Sequence, residues 1–278
     1  MANEDKNLPL PEEDILPIEN IASDIHGLRI LFVNVFAVTN PDGSWTLIDA
    51  GVPFSAARTR GWAMERFHQP PKAIVLTHGH FDHAGGVRTL ADDWNVPVYA
   101  HSLEFPFLTG QESYPRPDPG VGGGVMPLLS PLFPRSPYDI SDRLRLIAGE
   151  TLDVLPGWRV MHTPGHTQGH VSFFRESDRA LIVGDAFCTC NQNSFFSVAQ
   201  QKPELTGPPW YFTPDWNSAR NSVEKLAALQ PALIIPGHGR PMIGADLPQR
   251  LQKLAEEFDR YAKPDHGKYV SEQKESAA

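Results

Sequence analysis

Three histidines and an aspartate stand within six positions in His78-Gly79-His80-Phe81-Asp82-His83. A lone loop histidine is ordinarily solvated, but imidazole and carboxylate at this density form a ligand set for a divalent cation. The apolar run Ala73-Ile74-Val75-Leu76 leads into the motif. A buried strand should therefore end where the ligands begin, fixing their backbone and leaving the side chains at a rim. Histidines two apart on an extended turn can share one ion, while Asp82 and His83, further round, turn toward another.

The pattern recurs three times. Trp158-Arg159-Val160-Met161 precedes Thr163-Pro164-Gly165-His166, Ala180-Leu181-Ile182-Val183 precedes Gly184-Asp185, and Ala232-Leu233-Ile234-Ile235 precedes Pro236-Gly237-His238-Gly239. Each is a short strand-forming stretch broken by Gly or Pro with a ligand-type side chain just beyond. We read these as four strands delivering ligands to one end of a sheet. His78, His80, Asp82, His83, His166, Asp185 and His238 make seven donors. A tetrahedral catalytic zinc uses three protein ligands, so seven suit two ions with one carboxylate bridging. Nitrogen and oxygen donors favour zinc, and iron, manganese or cobalt fit the same set.

The chain resembles the metallo-β-lactamase-fold hydrolase superfamily in four motifs. These are His78-Gly-His80-Phe-Asp82-His83, Pro164-Gly165-His166-Thr167-Gln-Gly169-His170, Gly184-Asp185-Ala186 and Pro236-Gly237-His238-Gly239. With the early Leu47-Ile48-Asp49-Ala50-Gly51 they span roughly residues 28 to 262 in the family's order. The resemblance implies an α/β fold, a four-layered αββα sandwich with a dinuclear site at one edge of its two sheets. By that pattern His78, His80 and His166 hold one metal; Asp82, His83 and His238 hold the other; Asp185 bridges; and Asp49 braces the histidine loop by hydrogen bonds. The bridging aspartate belongs to the general hydrolase branch rather than to the penicillin-degrading lactamases. Glyoxalase II carries a longer basic tail than this chain has. The acyl-homoserine-lactone lactonases place a tyrosine shortly after the bridging aspartate, where Phe187 and Cys188 stand here.

Charge dictates the expected chemistry. Two divalent ions with two aspartates leave the site net positive, and a water there loses its proton near neutral pH, against about 15.7 in bulk. The hydroxide attacks a carbonyl whose oxyanion one metal takes up, with Asp82 as general base. No acid is evident for an amine leaving group, so esters, lactones and thioesters rank ahead of amides, with β-lactam cleavage as a side activity. The alternative is a mononuclear iron oxygenase of the persulfide-dioxygenase kind, using His78, His166 and Asp185. His162 and His170 read as strand or bracing groups, and His26, His68, His101 and His266 as surface or packing residues.

Among 278 residues, 24 basic against 33 acidic side chains give a net charge of −9, with no basic block. Nucleic acid is thus not an expected partner; a small-molecule substrate is. No apolar run approaches the ~20 residues of a membrane span. Met1 to Glu19 is acidic and Pro-rich, unlike a secretory signal, and Cys188 and Cys190 lie too close to bridge without strain, so a cytoplasmic protein is expected.

We expect an arm over 1–20, one domain over 21–265 and a flexible tail over 266–278. Leu28–Val38 and Trp45–Ile48 read as two strands around the Asn40-Pro41-Asp42-Gly43 turn. Helical character falls at Ser55–Phe67, after His83, at Trp216–Leu229 and at Asp246–Tyr261, and further strands at Val96–Ala100, Arg143–Val154 and Gly169–Arg175. Two Pro- and aromatic-rich insertions stand apart, near 105–140 and 191–216. Long loops inside compact domains are usually functional or disordered. These two could wall an apolar substrate pocket, cover the core or form a homodimer contact.

Overall fold

Strand residues 180 to 183 are apolar on both faces, and that decides the architecture. Ala180 and Ile182 point one way, Leu181 and Val183 the other, and all four are buried. A strand buried on both faces needs a layer on each side. A computed structural model describes residues 8–9, 18–19, 21–122, 124–135 and 139–271.

One sheet has six strands in the order β2 (Ile25–Ile30), β3 (Val33–Thr39), β4 (Trp45–Ile48), β5 (Ile74–Val75), β6 (Val98–Ala100) and β7 (Leu144–Leu146). Strands β2 to β4 are antiparallel and β4 to β7 parallel. The other has five, in the order β13 (Met242–Ile243), β12 (Leu233–Pro236), β10 (Ala180–Gly184), β9 (Val171–Arg175) and β8 (Arg159–His162), with β10 and β12 parallel and the rest antiparallel. A two-residue strand β1 (Leu8–Pro9) pairs with β11 (Glu204–Leu205).

Between the sheets lie Phe36, Val38, Ile48 and Val75 against Val160, Phe173, Ile182 and Ile235. Outside the first sheet, Leu47 and Leu76 meet α1 (Ala56–Phe67) and α3 (Val87–Trp94) through Ala63, Leu90 and Trp94. Outside the second, Leu181, Val183 and Ile234 meet α7 (Trp216–Ala227) and α8 (Leu247–Glu256) through Val223, Leu226, Leu251 and Leu254. The layers are α, β, β, α. Each fully buried Leu, Ile or Phe contributes about 1.5–3 kcal/mol, so the period-two alternation along these strands specifies both cores at once. Helix α7 starts where the Asp215 carboxylate accepts from Ser218 N at 3.0 Å, and α3 stops at Asn95, left-handed with φ 54°.

Several expectations need correction. Leu28–Val38 is not one strand but the arms of a hairpin, β2 and β3, turning at Leu31 (φ 59°) without Gly or Asn to announce it. The ligand-bearing strands do not share a sheet: β5 lies in one, and β8, β10 and β12 in the other. The last helix breaks at Glu257 into α8 and α9 (Phe258–Tyr261). Residues 268–271, within the stretch expected as a flexible tail, are helical, with Tyr269 and Val270 buried. The rest of it, and most of the arm, lie outside the described residues. Both insertions contain short helices: α4 (Phe105–Leu108) and α5 (Val125–Leu129) in the first, α6 (Phe195–Gln200) in the second. No helix among the described residues is long and apolar enough to cross a membrane.

Candidate metal centre

All seven expected donors follow the carboxyl end of a strand. Strand β5 runs into His78 and His80, with Asp82 and His83 on the one-turn helix α2 (Phe81–Ala84); β8 leads to His166, β10 to Asp185 and β12 to His238. These ends meet at one edge of the sandwich, where Thr77 O accepts from Val171 N at 2.9 Å and ties the sheets together. Glycine is required at 237: a Cβ there would run into Asp185 Oδ1 and come within 2.8 Å of His83 Cε1.

The donors form triads that could each hold an ion: His78/His80/His166, His78/His83/Asp185 and Asp82/His83/His238, each with its ligand atoms within 4.8 Å of one another. His80 Nδ1 lies 3.1 Å from His78 Nε2 and 2.9 Å from His166 Nε2. Asp185 faces both sides, with Oδ1 3.3 Å from His83 Nε2 and Oδ2 3.1 Å from His238 Nε2 and 3.5 Å from His166 Nε2. His83 Nε2 and Asp185 Oδ1 are buried without a hydrogen-bond partner. A buried polar atom left so is costly, and a cation between these two satisfies both.

The outer nitrogens settle the orientation. His78 Nδ1 contacts Thr77 Oγ1 at 3.1 Å, and that hydroxyl donates to Asp49 Oδ2 at 2.8 Å. His83 Nδ1 donates to Asp49 Oδ2 at 2.8 Å, and His238 Nδ1 to Phe32 O at 2.8 Å. His166 Nδ1 reaches Thr213 Oγ1 at 3.3 Å, whose proton goes to Pro209 O. With the outer nitrogen donating, each inward Nε2 offers its lone pair to a cation, at His83 and His238 once the proton there is displaced. Asp49, left-handed at φ 61°, also accepts from Thr77 N at 2.8 Å, so it braces the histidine loop from three donors. His170 is no ligand: its Nε2 accepts from Asp185 N at 2.9 Å and holds that aspartate's backbone.

The model of the Metallo-beta-lactamase superfamily matches residues 28–238. The chain belongs to that superfamily. A probable metallo-hydrolase of Bacillus subtilis, YflN, is 44% identical over 239 residues, covering 84% of this chain and 90% of its own. A second from that organism, YybB, is 32% identical over 62% of this chain and 66% of its own. Among solved structures, the B3 metallo-beta-lactamase BLEG-1 superposes with TM-score 0.58 at 24% identity, covering 84% of this chain and 96% of that one. TTHA1623, solved in a di-iron-bound form, superposes with TM-score 0.53 at 25% identity, covering 79% and 93%. This protein is a metallo-hydrolase of the superfamily, and its His/Asp clusters could bind the divalent metals such hydrolases use.

Sequence reasoning missed several residues that build this superfamily member's site. Glu104, buried just past β6, accepts from Gly79 N at 2.9 Å, Gly169 N at 2.9 Å, Thr167 Oγ1 at 2.7 Å and the Tyr114 hydroxyl. It thereby ties the His78–His80 loop to the His166 loop. Asn34 on β3 donates to Pro236 O and Gly239 O at 2.9 and 2.7 Å, bracketing His238. The one local hint for Glu104 is that β6 too is a strand running into polar residues; its partners Gly79, Thr167 and Gly169 are all distant in sequence.

Burial and neighbouring imidazoles hold His78 and His166 well below the usual histidine value, and burial chiefly brings His80 to about 4. For His83 burial works downward, but Asp185 and Asp49 overcome it and raise the group to about 10; Asp185 and Asp82 likewise lift His238. Without metal, His78, His80 and His166 are therefore neutral while His83 and His238 carry protons. Titrating zinc into metal-free protein at pH 7 is expected to fill the His78/His80/His166 triad without proton release. The next equivalent then expels protons from His83 and His238. Calorimetry in buffers of different ionisation enthalpy measures this, and equal release in both steps would contradict it. The raised His83 value also stabilises the metal-free fold fully below about 6.5, a contribution lost as pH climbs through about 10.

Beside His80 and His166 opens a cavity of about 650 Å³. Its walls come from both insertions: Phe107 and Tyr114 from the first, Phe212 and Pro214 from the second. Phe195 and Phe196 do not line it and stand exposed.

Proposed function

We propose that the protein is a dinuclear hydrolase of a carboxylic ester, lactone or thioester. The reading is carried by Asp185, whose Oδ2 lies between His166 of one triad and His238 of the other while Oδ1 faces His83, a placement suited to a carboxylate shared by two ions. Divalent cations held there would supply a water activated near neutral pH and an electrophile for the substrate carbonyl. The chain's own residues do the rest. His78, His80 and His166 set one pole of the site and Asp82, His83 and His238 the other, while Asp82 takes up the proton released as water attacks. Phe107, Tyr114 and Phe212 bind the apolar part of the substrate and exclude bulk water.

The Tyr114 hydroxyl is engaged with Glu104 and stands apart from leaving-group protonation, which favours alkoxide and thiolate departure over an amine. A mononuclear oxygenase on His78, His166 and Asp185 would leave the buried Asp82/His83/His238 cluster with no purpose. Zinc is the ion we favour, and the di-iron form of TTHA1623 keeps iron as its competitor. Metal quantification beside a panel of aryl esters, lactones and acyl-glutathione thioesters tests the reading. About two ions per chain with carbonyl hydrolysis is the expected result, and one iron with oxygen consumption would overturn it.

A further inference from the structure

The cavity beside His80 and His166 has one cationic lysine or arginine among its lining residues, Arg116. Several arginines of this acidic chain are taken up by carboxylates: Arg60 pairs with Asp93, Arg88 with Asp92 and Asp142, Arg159 with Glu176, Arg175 with Asp24 and Asp178. Among the described residues, nothing engages the Arg116 guanidinium, which is exposed at the cavity.

Its backbone, by contrast, is firmly held. Pro115 and Pro117 flank it, each with a ring-fixed φ. Tyr269 donates its hydroxyl to Arg116 O at 2.5 Å, and Asp118 N donates to Tyr211 O at 2.9 Å. Asp118 in turn accepts from Gly120 N at 2.9 Å and from Lys268 N. A rigid stem with an unpartnered head suits the capture of a ligand, because little order has to be created on binding. The other rim charge, Asp215, is turned to the start of α7, accepting from Ser218 N at 3.0 Å and Ser218 Oγ at 2.7 Å.

We infer that Arg116 anchors a carboxylate carried by the substrate away from its scissile carbonyl, a specificity that rests on the hydrolase reading above. The substrate class is then an ester, lactone or thioester whose acyl part bears a second acidic group. That acyl chain lies along Phe107, Tyr114 and Phe212. A guanidinium fork matches a carboxylate in bidentate fashion. With Asp215 on the same rim, a monoanion fits better than a dianionic phosphate.

The test uses matched probes on metal-loaded protein: adipic acid mono(4-nitroanilide) against hexanoic acid 4-nitroanilide for binding, and the corresponding 4-nitrophenyl esters for turnover. Wild type is expected to bind the acidic anilide about tenfold more tightly than the neutral one. The margin collapses in Arg116→Gln, survives in part in Arg116→Lys, and shrinks with added salt. With the esters the preference resides in KM rather than kcat. Absence of the preference in wild type, or its persistence in Arg116→Gln, overturns the inference. A preference that follows Arg116 while neither ester is cleaved would sink the hydrolase reading and leave the carboxylate site standing. The exposed position of Arg116 keeps both variants folded, which a thermal melt checks.

Discussion

On the dinuclear reading proposed above, Asp185→Asn is expected to lower the bound metal from about two ions per chain to about one and to cut hydrolysis at least about a hundredfold. The substitution preserves shape while removing one oxygen and one negative charge. Its backbone stays pinned, because the bond from Asp185 N to His170 Nε2 involves no side-chain atom of the aspartate. What is lost is the electrostatic link between triads, since Oδ1 faces His83 and Oδ2 faces His238 and His166. The same loss acts on the metal-free protein. Asp185 is the largest upward influence on His83 and on His238, so both should fall toward the ordinary histidine range and release fewer protons when metal is added. Metal quantification, turnover and buffer-dependent calorimetry on one preparation examine all three effects. A variant with full metal content and near-native turnover would show that the carboxylate is not shared.

Why Asp185 and the histidines were legible in the sequence, and Glu104 and Asn34 were not, has a physical explanation. A donor used by a metal must sit on a rigid element and turn sharply inward, which writes itself locally as an apolar run, a Gly or Pro, then His or Asp. The run into His78 and those into His166, Asp185 and His238 all have that form. The unbroken apolar run Ala180–Val183 likewise marks a strand covered on both faces, whereas the four-layered order was implied by the resemblance of the motifs. The division of the ligand strands between two sheets is a matter of long-range pairing that no local pattern carries. The same holds for Asn34, whose partners at Pro236 and Gly239 lie 202 and 205 residues away. The turn at Leu31 escaped because left-handed backbone there is held by the pairing of β2 with β3 and not by a turn-forming residue. Glu104 stands after a short strand with no Gly or Pro break to mark it. Only the approach of Gly79, Gly169, Thr167 and Tyr114 makes it an interior carboxylate.

That interior carboxylate supports the second large expectation. Glu104→Ala would leave two backbone N–H groups and two hydroxyls facing a void, and the unmet donors together should cost about 3–5 kcal/mol of stability. Glu104→Gln keeps the volume but turns an amide N–H toward groups that themselves donate, so it should recover only part. Burial raises the Glu104 carboxyl above its ordinary value while the four donors pull it back. A raised folded value means that ionisation costs the fold, so this group's contribution falls as pH rises from the unfolded value through the folded one, and the Gln variant should lack that slope. A general packing defect would weaken both metal positions alike. Loss of the tie between the Gly79 and Gly169 loops should instead weaken the His78/His80/His166 triad by about 10–100-fold and spare the Asp82/His83/His238 cluster. Denaturant melts with stepwise metal titration separate these outcomes: equal weakening at both positions, or an Ala variant within about 1 kcal/mol of wild type, would remove Glu104 from its positioning role.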